Sequence, residues 1–366
     1  METITFLLSI NTRWWNAEAH YAYNLGLALE LEGHQVVFLV NMGSPVAHKA
    51  VDHGFLVVED IPLDDAKPWV QWSNLGKLKS KVHSLQVNCI VSFKSSGSWI
   101  FAALHRSLPA LTHIRVRGEA RAPKQNGFNR WLYGVNGCDG ILCSGEQVQR
   151  WVKEIGGQLP PVQVLHFGAP ELEDSELKNP VELPAGLPVL CLLGRSQPVK
   201  GHLICLDAFA ALGRTDVTLL FLVKRLEEFP EHVALIREKI IELGLENQVI
   251  LAGPMPNLKA VLSQVQIGLI PSLGSEVNCR VLVEFFAQGI PVVASAVGTL
   301  PDLIHRGENG WICEELSAES LKIGMEEGLK HHLTWGAQAR QDYQELYRLE
   351  PFARQFLGFF ASVRRH

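Results

Sequence analysis

The chain has 366 residues, 47% of them hydrophobic and 19% charged, with a formal net charge of −5. The length suggests two domains, and the charge balance excludes a general nucleic-acid binder. No apolar run reaches the roughly 18 residues that a membrane span needs. Seven cysteines are dispersed without a CxxC or a His/Cys cluster at zinc spacing, which fits a reducing cytosol.

The opening "METITFLLSINTRWW" lacks a basic n-region and a small-residue cleavage site, so it reads as a first buried strand. The helix "EAHYAYNLGLALELEG" and the strand "QVVFLV" follow it. "CIVSF", "ALTHIRV" and "GILCSG" continue the strands, with the helix "GSWIFAALHR" between the first two. The polar, Pro- and Gly-bearing "HFGAPELEDSELKNPVELPAGLP" reads as a linker.

The alternation then restarts with strand "PVLCLLG", helix "HLICLDAFAALG", strand "VTLLFLV" and helix "HVALIREKIIELG". Strand "QVILAG", helix "LKAVLSQV", strand "IGLIPS", a further helix and strand "PVVAS" complete it. Alternating βα units predict parallel sheets covered by helices on both faces. The expected class is α/β, with two Rossmann-like domains facing across a cleft. The boundaries predicted are 1–169, 170–349, and a closing helix at about 350–366 that packs back onto the first domain.

Ligands of open parallel sheets bind beyond the carboxyl ends of the strands. The first such loop, "NTRWWNAEA", has no GxGxxG, which weighs against a dinucleotide dehydrogenase. In "GRSQPVKGH", Arg195 and Lys200 lie beside Gly194 and ahead of a predicted helix, a favourable place for a diphosphate. Solvated loop charges are the alternative reading.

"SEVNCRVLVEFF" sets Glu276 and Glu284 eight residues apart with Arg280 midway. A helix is predicted from about Val277, with free amides that attract an anion. That places the carboxylates two turns apart, about 12 Å at 1.5 Å per residue. A glycosidase pair stands about 5–9.5 Å apart, so this is not one. Read alone, Glu276 could be a helix-start acid and Glu284 a solvated charge. Cys279 falls in the first predicted turn, where the dipole lowers a thiol pKa, unless the thiol is buried and inert.

These residues carry a resemblance. Glu276-x7-Glu284 with Arg280, followed by Gly289, Pro291, Gly298, Pro301, Asn309 and Gly310, resembles the donor-site signature of retaining glycosyltransferases of the GT-B fold, family-four type. "GRSQPVKGH" resembles that family's phosphate clamp, and "LEGHQVVFLV" and "GCDGILCSGEQV" resemble its first-domain elements. The resemblance implies that Gly194, Arg195 and Lys200 hold a nucleotide diphosphate. It implies that Glu276 meets the transferred sugar, that the amides of Asn278, Cys279, Arg280 and Val281 hold phosphates, and that Glu284 binds the ribose. It also implies that His113 reaches the sugar from the first domain, and that no divalent metal or other cofactor is needed. No DxD stands between apolar strands; the adjacent acids Asp64 and Asp65 fall in a predicted loop.

The departures lie at glycines. The family's Gly-Gly loop reads "TRWWNAEAH" here, its second glycine before the "LPDLI" stretch is Thr299, its Glu there is Asp302, and its G-x-G after the second strand is "VKRLEEFP". Trp14, Trp15 and Asn16 are expected on the acceptor side. Lys94, Arg115 and Arg117, with Arg121, Lys124 and Arg130 after them, suggest a basic acceptor surface.

The implied activity is transfer of a sugar from a nucleotide sugar to an acceptor hydroxyl with retention, in cell-surface polysaccharide or lipopolysaccharide synthesis. The acceptor expected is a glycan or glycolipid, anionic in character. The expected site of action is the cytoplasm, with peripheral contact at the inner face of the membrane. A nucleotide-sugar epimerase, a phosphorylase, or a non-catalytic sugar-nucleotide binder are the alternatives.

Overall fold

The computed structural model describes residues 2–63, 67–93, 97–274 and 276–365, without the side chain of residue 68. Two compact units emerge: Met1–Gly168 with Leu349–His366, and Ala169–Arg348.

The first unit contains β1 (Thr5–Ile10), β2 (Gln35–Val40), β3 (Leu56–Val58), β4 (Cys89–Ser92), β5 (Thr112–Arg117), β6 (Gly140–Cys143) and β7 (Val162–Val164). They form one parallel sheet in the order β3-β2-β1-β4-β5-β6-β7. Its helices are α1 (Ala17–Leu31), α2 (Pro45–His53), α3 (Pro68–Ser84), α4 (Trp99–Ser107), α5 (Gly127–Tyr133) and α6 (Glu146–Lys153). Every residue of β1 is buried, as helices on both faces of a parallel sheet require. Strands β3 and β7 were not foreseen. Each has three residues, lies at a sheet edge, and is only partly buried, so neither carries a strong apolar run.

The second unit contains β8 (Val189–Gly194), β9 (Thr218–Val223), β10 (Val249–Ala252), β11 (Ile267–Ile270), β12 (Val292–Ser295) and β13 (Gly310–Cys313). These are also parallel, in the order β10-β9-β8-β11-β12-β13. Its helices are α7 (His202–Leu212), α8 (Pro230–Glu242), α9 (Leu258–Leu262), α10 (Arg280–Ala287), α11 (Leu300–Leu303) and α12 (Ala318–Asp342). The core joins Leu190, Leu206, Phe209, Leu219, Phe221 and Ile267, all essentially buried. The strand order reverses between β8 and β11, and a ligand crevice is expected at such a switch point.

The last helix, α13 (Leu349–Val363), belongs to the first unit. Phe356 and Phe360 pack edge-on against Phe6 of β1, with ring centroids 5.7 and 5.1 Å away. Phe352 meets Tyr21 of α1 at 5.5 Å. No described helix is long and apolar enough to cross a membrane.

Candidate active site

Three loops of the second unit converge on Glu276. The loop after β8 closes in a turn at Pro198–Lys200 and ends at Gly201, whose φ is +75°. A Cβ there would stand 2.0 Å from the carbonyl oxygen of Pro271, so only glycine lets the two loops approach. The Leu273 amide donates to the Val199 carbonyl at 2.8 Å and ties the same two loops. Lys200 Nζ then pairs with Glu276 Oε1. Ser272 Oγ donates to that oxygen at 2.6 Å.

The third loop follows β12. The Glu276 carbonyl accepts from the Thr299 amide at 2.7 Å and from Thr299 Oγ1 at 3.0 Å. Gly298, at φ +62°, makes room for this contact, because a Cβ would sit 2.1 Å from the same carbonyl oxygen. Side chain and backbone of Glu276 are thus held separately, from β8 and β11 on one side and β12 on the other.

Helix α10 begins at Arg280, three residues later than Val277. Cys279, with φ +29°, turns the chain immediately before it. The helical rise therefore separates only Arg280 from Glu284, about 6 Å for four residues, and the 12 Å estimate for the two glutamates does not apply. The loop, not the helix, places Glu276. Asn278 is buried, and its Oδ1 has no partner among the described residues. The helix start is headed by Arg280 and Val281, whose amides face outward from the first turn.

Glu284 is buried, not a solvated charge. Its Oε1 pairs with Arg280 Nη1 at 2.9 Å, and its buried Oε2 has no partner among the described residues. Burial pushes its carboxyl pKa up, opposed by Arg280 and then Lys224. An unmatched acceptor in this position suits a hydroxyl donor. Arg195, 49% exposed, turns instead toward the helical turn after β9, where its Nη1 stands 3.4 Å from Glu228 Oε1. A pair so exposed holds Arg195 weakly and leaves it available to an anion.

The first unit places its expected residues differently. His113 is fully buried on β5. Its Nε2 meets Ser92 Oγ at 2.9 Å and its Nδ1 meets the Gly137 carbonyl at 2.8 Å. Burial, then repulsion from Arg115, lowers its pKa to about 3. Both ring nitrogens are engaged in the core, so the expectation that His113 presents itself to the sugar is corrected.

Arg115 and Arg117 are 4% and 5% exposed, which removes both from the expected basic surface. Arg115 lies over the Tyr133 ring at 4.3 Å, and Arg117 donates to the Arg121 carbonyl at 2.5 Å and pairs with Glu119. His113, Arg115 and Arg117 share one face by alternation along β5, and all six residues of that strand are buried. Asn16 caps α1, accepting from the Ala19 amide at 2.9 Å. Trp15 packs under Lys49, whose ammonium stands 5.0 Å from the ring centroid. Trp14 is 77% exposed and free to meet a ligand. Lys94, Asp64 and Asp65 lie outside the described residues. A cavity of about 580 Å³ at the carboxyl ends of β1, β2 and β3, lined by Arg13, Asn41, Glu59 and Asp60 among others, had no signal in the sequence.

Residues 173–345 match the family model of glycosyl transferases group 1, and residues 19–170 match that of glycosyltransferase family 4. Residues 173–345 thus belong to the group 1 glycosyltransferases and residues 19–170 to family 4, two glycosyltransferase segments that together span most of the chain. A curated relative is the N-acetyl-alpha-D-glucosaminyl L-malate synthase of Bacillus anthracis, 25% identical over 196 residues, 52% of this chain and 50% of that one. The chain thus spans about half the length of this curated relative. Among solved structures, a glycosyltransferase from Rickettsia africae ESF-5 matches with a TM-score of 0.87 over 99% of each chain, at 16% identity. HepE of Anabaena, solved with UDP and glucose, matches with a TM-score of 0.75 over 98% of this chain and 100% of that one, at 15% identity. These likenesses establish the fold, two parallel-sheet Rossmann-like units of GT-B type.

Where this glycosyltransferase departs from its family, the structure gives two of the substituted residues definite places. Thr299 replaces a glycine and supplies the hydroxyl on the Glu276 carbonyl. Lys224, where the family has G-x-G, stands beside Gly194, its amide donating to that carbonyl at 2.9 Å. The sequence marked Thr299 only as a departure from the glycine pattern and Lys224 only as part of "VKRLEEFP", and it gave neither a role.

Cys279 also departs from expectation. Burial, then the neighbouring Glu276, drives its thiol pKa up, and its Sγ lies 3.1 Å from Thr299 Oγ1. The dipole of α10 is outweighed, so the thiol is inert and nucleotide-dependent alkylation is not expected.

His202 opens α7 directly behind the clamp, fully buried, with neither ring nitrogen bonded among the described residues. Burial, then His232 and Lys200, lowers its pKa from 6.5 to about 4. The unfolded chain therefore binds more protons in that window, and stability present above pH 6.5 is lost as pH falls toward 4. His202→Leu removes no hydrogen bond and should flatten part of this slope, read by urea unfolding at several pH values. An unchanged slope would mean that His202 is protonated in the folded state.

Proposed function

We propose that this glycosyltransferase moves a sugar from a nucleotide-diphosphate donor to an acceptor hydroxyl with retention of anomeric configuration. The observation that carries the reading is the convergence of the β8, β11 and β12 loops on Glu276, with Lys200 on its carboxylate. Lys200, Arg195 and the amides opening α10 take the diphosphate, and the charge growing on the leaving phosphate is stabilised in place. Those cations and the helix N-terminus serve in place of a divalent metal. Glu276 meets hydroxyls of the transferred sugar, and the unmatched Glu284 Oε2 accepts from the ribose.

The acceptor is proposed to be an anionic glycan or glycolipid of cell-surface polysaccharide or lipopolysaccharide synthesis, met at the cytoplasmic face of the membrane. With Arg115 and Arg117 buried, this rests on exposed Arg121, Lys124 and Arg130, with Phe128 56% exposed among them. Basic residues interleaved with an aromatic suit an anionic interface.

A thermal-shift panel of UDP-, GDP- and ADP-sugars tests the donor side. A matching donor at 100 times its Kd stabilises by about 2.7 kcal/mol. NMR of the product then reads the anomer. No stabilisation by any donor, or an inverted product, would defeat the proposal. Isomerised nucleotide sugar without acceptor would point to an epimerase, and tight binding without turnover to a non-catalytic binder.

A further inference from the structure

The strand order of the second unit sets a direction for the donor. Glu276 lies past β11, the clamp past β8 and Lys224 past β9, and these three strands are successive neighbours. From β11 to β9 is two strand spacings, about 10 Å at 4.8 Å each. A donor with its sugar at Glu276 and its diphosphate on the clamp therefore extends its nucleoside over the end of β9.

Lys224 is fixed at that end. Val223 pairs with Gly194, and the Lys224 amide donates to the Gly194 carbonyl at 2.9 Å. The residue is exposed overall, while its ammonium is partly shielded by its neighbours. Nearby, Glu284 keeps a buried oxygen unpartnered among the described residues. Desolvation, then Arg280, holds the Lys224 ammonium below the usual lysine range, Glu284 opposes them, and Arg225 and Arg195 add to the lowering, which puts Lys224 in one electrostatic neighbourhood with Glu284, Arg280 and the clamp arginine. The diphosphate already has Arg195, Lys200 and the start of α10, so Lys224 is left for the nucleoside.

We propose that Lys224 is a specificity-determining residue of the donor site, its ammonium donating to a carbonyl oxygen of the nucleotide base and so selecting uracil or guanine over adenine. An ammonium has three donors and no acceptor. Uracil and guanine offer it a carbonyl oxygen; adenine offers only ring nitrogens, and where guanine has its carbonyl adenine has an amino group that opposes donor to donor. The inference rests on the donor site proposed above.

The test is isothermal titration of the full chain with UDP, GDP, ADP and inorganic pyrophosphate, for the wild type, Lys224→Met and Lys224→Arg. The wild type should bind UDP or GDP at least about tenfold tighter than ADP, the scale of one charged hydrogen bond. Lys224→Met should remove most of that preference and leave ADP and pyrophosphate unchanged, while Lys224→Arg keeps it. A wild type without preference, an unchanged Lys224→Met, or equal weakening of all four ligands would overturn the inference; the last would make Lys224 a diphosphate cation. A wild type that binds no nucleotide would instead bring down the donor site itself.

Discussion

Glu276→Gln is expected to lower turnover by roughly 100- to 1000-fold with little change in the donor KM, because its carboxylate meets the reacting sugar. The carboxylate is held by Lys200 and Ser272, so its charge is positioned before any donor arrives. Lys200→Ala should cost a similar factor, about 2.7–4 kcal/mol in the barrier, through loss of a charged donor on the leaving phosphate. The two changes share one contact, so the double variant should lose less than their product. Glu284→Gln should behave differently. It touches the unreacting ribose, so the donor KM should rise by about tenfold while kcat holds. Steady-state kinetics on the three single variants and the pair decide this. Reversed effects at the two glutamates, or wild-type kinetics for both, would show that they only cap and brace α10.

Gly298→Ala should remove most of the activity without touching a substrate. The new Cβ would fall 2.1 Å from the Glu276 carbonyl oxygen and 2.6 Å from its amide nitrogen, so the loop after β12 must leave Glu276. Backbone strain at positive φ adds a cost of order 1–3 kcal/mol. Gly307 gives the control: its φ is +84°, but a Cβ there meets nothing within 4 Å. Gly307→Ala should therefore lose stability from backbone strain alone and keep its turnover. Gly298→Ala should lose stability and fall in turnover toward Glu276→Gln. Thermal unfolding and kinetics on both variants separate strain from displacement. Equal turnover in the two would show that the third loop does not position Glu276.

Much of the fold was legible because the central strands are buried on both faces. "ITFLLSI", "VTLLFLV" and "PVVAS" are near-continuous apolar runs, and in alternation with amphipathic helices such runs call for a parallel sheet covered on both sides. The spacing of Arg195, Lys200, Glu276 and Glu284 was also visible, because loop glycines and charges at strand ends stand out against apolar neighbours. Edge strands β3, β7 and β13 were not singled out, since three or four residues carry too little periodicity and their pairing is decided by the strand beside them.

The roles of single side chains needed the tertiary structure. "THIRVR" carries three basic side chains, yet all six residues of β5 are buried, which turns His113, Arg115 and Arg117 from expected ligands into core residues. Nothing in "SEVNCR" tells that Cys279 adopts positive φ, delays α10 to Arg280, and leaves Glu276 to be held by contacts from β8 and β12. Which residues are charged and which central strands are buried could be read from the chain alone, because those depend on composition over a few neighbours. Direction and partnership were decided by contacts such as Lys200 with Glu276 and Thr299 with Glu276, 76 and 23 residues apart in the chain, which form only when the sheet brings its strand ends together.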